Sequence, residues 1–568
     1  MNGDQDTALE PPVSARGLAA IPPPESPGHQ PAPSQFREFK PPAGLATWDS
    51  SPFADAPAQS GRVGPAIPEG AGRRPRKPGL AARPWPLLTV LVVQLALSLR
   101  LVWSNTAFQD EGLYLRAGHL EWARWLHGAA IPDFPAYFSG APALYPPIGA
   151  LADSVGGLAA ARLLSLCFML GVTSLLWATA ARLYGRRAAL LAAALFGTLA
   201  GTQLLGAFAT YDAMALFLLA LAASLGVRSA DGRPWTRVTL LVTTGVLLAT
   251  ANATIYSTAL FTPVVIVVVA LTVWRKHGGG AGPVAGLTVL GSWLLAVVAA
   301  ITVAGPEYWH GIAATTLARP QSSFPAEAVL QRAYIWTSLI LVLAALGAVL
   351  SFRGEARGKL LVPVLAAAGL LIPAEQARLH TAVSLQKHVV FGAWFAAIAA
   401  GYAMARLSRV DQGYGWAPVM ALPIAASTLF ASMGQAAALF AAWPNSAYAV
   451  SLIGAETGLH PGNYLAEDYD VEAYYLRASV PWQRWSSTYH FSYPGTPPGT
   501  ASYKAAIDRR YFSLVILNFG DTAAVDRQIT ADMRSSGGYY VLARAGRFTI
   551  WASEDKASVP AGRSGARY

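Results

Sequence analysis

The residues best suited to chemistry are an acidic pair, Asp110 and Glu111, which follow the first long apolar run in the stretch NTAFQDEGLYLRAGH. Carboxylates beside a membrane-spanning segment are costly to place and are usually functional. The alternative is helix capping, because acids in a first turn stabilise a helix by about 0.3 to 1 kcal/mol. We expect the pair to be catalytic.

A third carboxylate, Asp212, follows Tyr211 at the mouth of a later apolar run, GAFATYDAMALFLLALA. Alone it would be read as a helix N-cap. Together with Asp110 it would form a pair in which one acid takes a proton from an acceptor hydroxyl. The other acid would orient that acceptor or help to hold a divalent cation. The sequence therefore predicts Asp212 as a catalytic residue and Asp110 with Asp212 as a candidate site for Mg or Mn.

Cations precede a late apolar run in ARLHTAVSLQKHVVFGAW, where Arg378, Lys387 and His388 stand. Lysine and arginine are the usual binders of phosphate oxygens, so an anionic headgroup would explain cations at this position. The alternative is that long basic side chains snorkel at a helix end. We expect these three residues and Arg162 to bind a phosphate.

Aromatic and polar residues near the acids are the candidate substrate contacts. Tyr114 and His119 lie in the first long loop, where apolar and charged residues alternate in a way that favours an interfacial amphipathic helix. Tyr211 precedes Asp212. Trp482 and Trp485 lie in the aromatic segment VPWQRWSSTYHFSYPG, and flat aromatic faces suit sugar rings as well as protein cores. Core packing is the more common reason for such a segment.

Composition limits the class of protein that presents these residues. The chain has 568 residues, 54% of them hydrophobic and only 13% charged, with a mean hydropathy of +0.37. An ordinary soluble protein is roughly 25% charged, so this is a polytopic membrane protein. The net charge of +11 lies mostly in short loops between apolar runs, which favours membrane orientation over nucleic-acid binding. Cys167 is the single cysteine, so no disulfide framework is expected.

Three regions follow from the pattern. Residues 1–84 are rich in Pro, Gly and Ala and end in a basic cluster, which predicts a disordered cytoplasmic tail. Residues 85–441 hold about eleven apolar runs long enough to cross a membrane, near 86–103, 157–180, 188–206, 213–227, 238–256, 257–274, 284–304, 333–351, 360–374, 389–405 and 417–441. Residues 442–568 have ordinary soluble composition, which predicts a small extracytoplasmic α/β domain. Its predicted strands are NYLAED and YFSLVILNFGD, its predicted helices VEAYYLRAS and TAAVDRQITADMRSS, and its predicted hairpin YYVLARAGRFTIWAS.

Charge in the loops predicts the orientation. With the amino terminus inside, five basic connections fall on the cytoplasmic side of a plasma membrane, as the positive-inside rule requires. The acidic pair, the loop before Asp212, the loop before Lys387 and the carboxyl-terminal region then all lie outside. We expect the protein to act on the outer face.

Taken together, these residues resemble those of a known family. The acidic pair in a long first outer loop, Asp212 opening the fourth helix and the Lys387–His388 pair are similar to the lipid-carrier-dependent membrane glycosyltransferases of the GT-C fold. Within that fold the likeness is to the ArnT-like and protein-mannosyltransferase-like branch, glycosyltransferase family 39, and covers residues 86 to 405. The chain departs from the family at 252–257, which reads NATIYS where relatives often carry a phosphate-binding lysine.

The resemblance implies a sugar donor attached to a polyprenyl phosphate and transfer to a glycan, lipid or protein acceptor in the cell envelope, with inversion at the anomeric carbon. It implies Asp110 as the base, Glu111 as its neighbour, Asp212 as the second acid and Lys387 with His388 as the carrier-phosphate site. A multi-pass transporter or flippase is the alternative, but it would more often show internal repeats or acids at mid-membrane depth. A membrane-anchored sensor does not explain so many spans.

Overall fold

The computed structural model of the protein describes residues 85–317, 324–353, 359–408 and 417–554, so the predicted tail at 1–84 lies outside the described residues. Described residues from 85 to 554 belong to one compact unit. Their helices are α1 Trp85–Val102, α2 Gln109–His127, α3 Tyr145–Tyr184, α4 Arg186–Gly197, α5 Ala200–Leu205, α6 Tyr211–Ser229, α7 Pro234–Thr254, α8 Thr262–His277, α9 Ala281–Ala304, α10 Pro306–Ile312, α11 Ala326–Ser351, α12 Leu361–Ala368, α13 Leu371–Arg378, α14 Leu385–Leu407, α15 Ala417–Ala441, α16 Ala447–Leu459, α17 Asp470–Tyr475, α18 Thr500–Asp508 and α19 Ala523–Ser536.

The apolar segments must form long helices in a membrane. Lipid hydrocarbon cannot hydrogen-bond to backbone N–H and C=O groups, and a helix pairs these groups within the segment itself. Among the described residues, seven helices are long and apolar enough to cross a membrane, and the bent pair α12 and α13 would make an eighth. A helix or helix pair occupies each of the eleven predicted intervals. The predicted count of about eleven spans is nevertheless not confirmed, since α4 and α5, for example, are separate helices of 12 and 6 residues.

The helix α3 is two helices joined at a kink. Gly156 and Gly157 have non-helical backbone angles, and Gly157 has φ of +64°. This left-handed conformation strains any residue with a Cβ atom. The part before the kink packs on α2, and the part after it matches the predicted span at 157–180.

Close contact between α2 and the start of α3 depends on a glycine. A Cβ atom built on Gly118 would lie 1.9 Å from the carbonyl oxygen of Pro146 and 2.8 Å from the Cβ of Ala150. The two helices therefore pack backbone to backbone at this point, which fixes the helix that carries Asp110.

We expect Gly118→Ala to lower the thermal unfolding temperature and to reduce activity, because the two helices must separate to admit the methyl group. Overpacking of this kind costs about 1 to 3 kcal/mol. Thermal unfolding in detergent measures the effect. Gly291→Ala is the matched control, since no atom lies within 4 Å of a Cβ at that helical position, and it should be neutral or slightly stabilising. Equal melting of the two variants would contradict the packing argument.

The carboxyl-terminal residues form a mixed five-stranded sheet in the order β2-β1-β3-β5-β4. The strands are β1 Asn463–Ala466, β2 Trp485–Ser487, β3 Phe512–Leu517, β4 Tyr539–Ala545 and β5 Phe548–Ser553. β1 is parallel to β2 and β3, whereas β5 is antiparallel to β3 and β4. The strands β1 and β3, the helices α17 and α19 and the β4–β5 hairpin lie where the residue pattern predicts them, whereas β2, α16 and α18 were not predicted.

Both faces of this sheet are buried, and successive residues along a strand lie on opposite faces. In β3, Leu514 and Ile516 join a core with α16 and α17, whereas Val515 and Leu517 join a second core with α18 and α19. A strand with a residue period of two sends neighbours to opposite faces, so a continuous apolar run requires cover on both sides. The loop after β1 leads into α17, which packs on α2.

Candidate active site

Three segments that are far apart in sequence bring their charged residues together. The Nζ atom of Lys387, at the start of α14, donates to Oδ2 of Asp110 at 2.7 Å across 277 residues of sequence. The same Nζ lies 3.7 Å from Oδ2 of Asp212, at the start of α6. The predicted acids and the predicted phosphate-binding lysine therefore form one cluster.

Asp110 and Asp212 differ in exposure. The side chain of Asp110 is 14% exposed, whereas that of Asp212 is completely buried. A molecule that enters the site can therefore reach Asp110 but not Asp212. Oδ2 of Asp212 accepts a hydrogen bond from Thr210 at 2.7 Å, and its Oδ1, which has no hydrogen-bond partner in the described chain, lies 3.6 Å from Nε2 of His388.

The lysine is held from several sides. Its ammonium lies 5.6 Å from the ring centre of Phe208, within the range of a cation–π contact. Just before α14, Ser384 and His380 have positive φ angles of +55° and +52°. Non-glycine residues are strained in this region, and such strain is concentrated at functional sites. The turn therefore fixes how Lys387 enters the cluster.

Glu111 and Arg162 form a different, fully buried pair. The guanidinium donates to Glu111 from Nε at 2.8 Å and from Nη2 at 2.6 Å. Its remaining hydrogens go to the carbonyl oxygens of Val102, Asn105 and Thr106. All five N–H donors of Arg162 are thereby used, so the predicted role of Arg162 in binding a phosphate does not agree with this arrangement.

The partner carboxylate is equally occupied. Glu111 accepts the backbone N–H of Phe108 at 3.0 Å, which caps α2, and that of Ala209 at 2.8 Å. The capping alternative thus describes Glu111, whereas Asp110 faces Lys387. Glu111 is not exposed, and the structure keeps it apart from the Asp110–Lys387 contact.

The aromatic residues predicted beside the acids pack against each other. Tyr114 and Tyr211 have ring centres 4.4 Å apart. Burial, with the nearby Tyr211 hydroxyl, raises the pKa of Tyr114 well above its usual value, so the phenol stays neutral.

Residues 252–257, where the chain departs from the family pattern, have a structural role. The side chain of Asn252 donates to Thr258 and accepts from the indole N–H of Trp293 inside the protein.

The remaining predicted residues lie elsewhere. Arg378 is exposed and pairs with Glu375 at 2.6 Å, so it is not part of the cluster. Trp485 is buried in the sheet core beside Tyr464, as the core-packing alternative states, so it cannot stack on a substrate in this conformation. His119 and Trp482 line a separate cavity.

Three acids that were not predicted as site residues follow β1, and two of them, Asp468 and Asp470, lie within electrostatic reach of Asp110. Asp468, Asp470 and Glu472 follow β1, and a Cβ atom on Gly112 would lie 2.7 Å from the carbonyl oxygen of Asp470. Burial raises the pKa of Asp468 well above its usual range, and repulsion from the neighbouring acids adds to the rise. Asp110 contributes to this repulsion, so the loop after β1 lies within its electrostatic reach. Only the run of acids in AEDYDVE could have signalled this.

Glu472 should make the fold sensitive to pH. Burial raises its pKa to about 7, and its Oε2 has no hydrogen-bond partner in the described residues. Because the folded-state pKa lies above the unfolded value, the ionised form opposes folding, and stability should fall as pH rises from about 4.5 to about 7. We expect Glu472→Gln to raise the melting temperature at pH 8 and to leave it nearly unchanged at pH 4.5. Melting curves at both values test this, with the exposed Glu327→Gln as control, and a difference that does not depend on pH would contradict it.

The two acids predicted to hold a divalent cation lie beside a cationic side chain. Within the described part of the chain, no group of three or more His, Cys, Asp or Glu side chains is placed to hold a metal ion. Asp110 and Asp212 instead share the ammonium of Lys387. The positive charge that a metal would supply between the two carboxylates comes here from a side chain.

Comparison with solved structures identifies the fold. The chain superimposes on ArnT from Cupriavidus metallidurans in the apo state with a TM-score of 0.55 and 16% identity, over 82% of this chain and 97% of that one. ArnT bound to undecaprenyl phosphate gives 0.55 and 15%, with coverages of 82% and 97%. Archaeal oligosaccharyltransferase AglB from Archaeoglobus fulgidus, in complex with an inhibitory peptide and a dolichol-phosphate, gives 0.50 and 12%, with coverages of 82% and 74%.

No protein-family model and no curated protein matches the sequence. At these identities the comparisons show the fold, and the fold is the GT-C fold.

Proposed function

We propose that the protein is a glycosyltransferase that moves a sugar from a polyprenyl-phosphate donor to an acceptor on the outer face of the plasma membrane. The observation that carries the proposal is the contact between Lys387 and the partly exposed carboxylate of Asp110. In this proposal the carboxylate is the proton acceptor and the ammonium, 2.7 Å away, is the cation that binds the donor phosphate.

In the proposed reaction an acceptor hydroxyl attacks the anomeric carbon of the donor sugar. The bond between that carbon and the phosphate oxygen breaks, and polyprenyl phosphate leaves with the bonding electrons. Asp110 takes the hydroxyl proton. The leaving phosphate needs positive charge more than a strong acid, and Lys387 supplies it.

Lys387 also explains how the base is kept from reacting early. Without donor, its ammonium neutralises Asp110 at 2.7 Å. A donor phosphate would compete for that ammonium and leave the carboxylate free to accept a proton. Because Asp212 is buried and lies 3.7 Å from the same ammonium, we assign Asp212 a positioning role. His388, which faces Asp212, would support this geometry from the other side.

Known ligands of the structural neighbours support this donor class. ArnT is solved with undecaprenyl phosphate and AglB with a dolichol-phosphate, and both ligands are polyprenyl-type phosphates. The fold of this chain covers 97% of ArnT. We extend the donor class to this chain on the strength of the Asp110–Lys387 contact, not on identity. In this proposal the amino terminus is cytoplasmic, residues 85–441 are catalytic and residues 442–568 lie outside.

The test is release of polyprenyl phosphate by purified protein in nanodiscs, supplied with a panel of radiolabelled polyprenyl-phosphate sugars. We expect release with one donor and transfer of the label to an acceptor. No turnover with any donor, together with movement of carrier or solute across a sealed bilayer, would contradict the proposal and favour the transporter alternative.

A further inference from the structure

A buried glutamine on α13 connects the turn before α14 to the charged cluster. Gln376 is only 7% exposed, and its Nε2 atom donates to the backbone carbonyl oxygen of Val383 at 2.8 Å. The backbone carbonyl oxygen of Gln376 accepts the N–H of Thr381 at 3.0 Å. Gln376 therefore holds, at two points, the turn that contains the positive φ angles of His380 and Ser384.

The same amide faces the histidine beside Asp212. Nε2 of Gln376 lies 3.3 Å from Nδ1 of His388. The bond to Val383 identifies this amide atom as the nitrogen, because two carbonyl oxygens 2.8 Å apart would repel each other. Oε1 of Gln376 has no hydrogen-bond partner in the described residues. The amide is thus oriented to use its two N–H donors, one towards Val383 and one towards His388.

This orientation fixes the tautomer of His388. A ring nitrogen that faces an N–H donor must be the acceptor, so Nδ1 carries no hydrogen and the hydrogen of the neutral ring is on Nε2. Nε2 lies 3.6 Å from Oδ1 of Asp212, which is too long for a hydrogen bond. That oxygen has no hydrogen-bond partner in the part of the chain that the structure describes. His388 therefore presents an N–H to a buried acceptor that is not yet bonded.

Asp212 needs such a donor when the carrier phosphate binds. Its side chain is completely buried, and Nζ of Lys387 lies 3.7 Å away. In the proposed function the phosphate draws this ammonium towards itself, and a buried carboxylate that loses its countercharge is strongly destabilising. A small movement of the His388 ring would bring Nε2–H within hydrogen-bond distance of Oδ1. Hydrogen bonds to ionised acceptors are the strong ones, so this contact would stabilise the charge of Asp212.

We propose that Gln376 is a positioning residue that holds His388 as a hydrogen-bond donor to Asp212 while the carrier phosphate occupies Lys387. The inference rests on the proposed function. It assigns His388 to the buried acid, in place of the phosphate contact expected from sequence. Gln376 acts through the imidazole ring and not on the substrate.

Nitrogen NMR of the full-length protein tests the tautomer without turnover. The protein is labelled with ¹⁵N-histidine in nanodiscs, and the signals of His388 are those that His388→Phe lacks. We expect wild type to carry hydrogen on Nε2 and none on Nδ1. Gln376→Met should give a mixture of tautomers, because a thioether donates no hydrogen. Hydrogen on Nδ1 in wild type would overturn the inference even if the variant does not fold, and so would an unchanged His388 spectrum in folded Gln376→Met.

A second buried glutamine provides the matched control. Gln94 on α1 donates to the backbone carbonyl oxygen of Met169 at 3.2 Å, and its Oε1 also has no hydrogen-bond partner in the described residues. Gln94→Met therefore loses a comparable buried hydrogen bond far from the cluster in sequence. It should lower the melting temperature about as much as Gln376→Met does, and should leave the His388 signals and the KM for the sugar donor at wild-type values.

Kinetics of polyprenyl phosphate release test the consequence for the reaction. We expect Gln376→Met to raise the KM for the sugar donor about tenfold, the usual effect of losing one hydrogen bond to a charged group. Its kcat should change by less than about twofold, because the phosphate takes the ammonium on binding and keeps it through the reaction. In a His388→Phe background, Gln376→Met should raise KM no further, since no imidazole remains to be oriented.

The outcomes separate this inference from the proposed function. The same rise in KM in both backgrounds would show that Gln376 acts only through the turn, and would overturn the inference. An unchanged KM in folded Gln376→Met, with polyprenyl phosphate released by wild type, would overturn the inference alone. No release by wild type with any donor would instead contradict the proposed function, and the nitrogen spectra would still report the tautomer.

Discussion

Asp110→Asn should lower kcat for sugar transfer by about 10²- to 10⁴-fold, the usual contribution of a general base. The amide has nearly the same shape as the carboxylate but cannot take a proton from the attacking hydroxyl. The melting temperature should change little, because the buried Asp212 still lies 3.7 Å from the ammonium of Lys387 and neutralises it. Transfer of labelled sugar under saturating donor measures the loss.

The control for Asp110→Asn is Asp133→Asn, which removes an exposed carboxylate from the same loop and should retain full activity. Asp110→Glu should recover part of the rate, since it restores the base at a slightly shifted position. A folded Asp110→Asn variant with more than about a tenth of wild-type kcat would remove Asp110 from the role of base. The base would then have to be sought elsewhere in the site.

Arg162→Met should be among the most destabilising single substitutions in the chain. It leaves Glu111 as an uncompensated charge inside the protein, and breaking a buried ion pair costs about 3 to 5 kcal/mol. We expect a sharp fall in folded yield and in the unfolding temperature, measured by size-exclusion profile and thermal melting. Glu111→Gln should also destabilise, because the two nitrogens of Arg162 that it holds at 2.6 and 2.8 Å lose a charged partner.

The double variant Glu111→Gln/Arg162→Met separates structure from substrate binding. If the pair is structural, the double variant should be more stable than the sum of the single losses predicts, since no unpaired charge remains. If Arg162 instead binds the carrier phosphate, Arg162→Met would fold normally and bind donor weakly. That outcome would restore the prediction made from sequence.

Several features could be predicted from sequence because they depend on local pattern. Apolar runs of span length require helices, whatever their partners. Strand and helix signals after residue 442 likewise follow from the residue period along each element, and β3 and α19 lie where they were expected. The acids and the lysine could be recognised as candidate site residues, because charged side chains beside membrane-spanning segments are energetically unfavourable and are usually functional.

What the sequence could not provide is the partner of each charge. Asp110 and Glu111 are adjacent and chemically alike, yet one is partly exposed beside Lys387 and the other is buried with Arg162. Which of the two faces the site depends on the direction in which α2 presents each side chain, and that direction is set by its packing on α3.

By itself, then, the sequence determined the helical membrane character of the chain, the strands β1 and β3, the helices α17 and α19, the final hairpin and the residue types available for chemistry, because these depend on composition and short-range period. Tertiary structure alone decided that Lys387 meets Asp110 across 277 residues and that Trp485 belongs to a core while Trp482 lines a cavity. The physical reason is that charge pairing and burial act over a few ångströms in space, whereas the sequence specifies only separation along the chain.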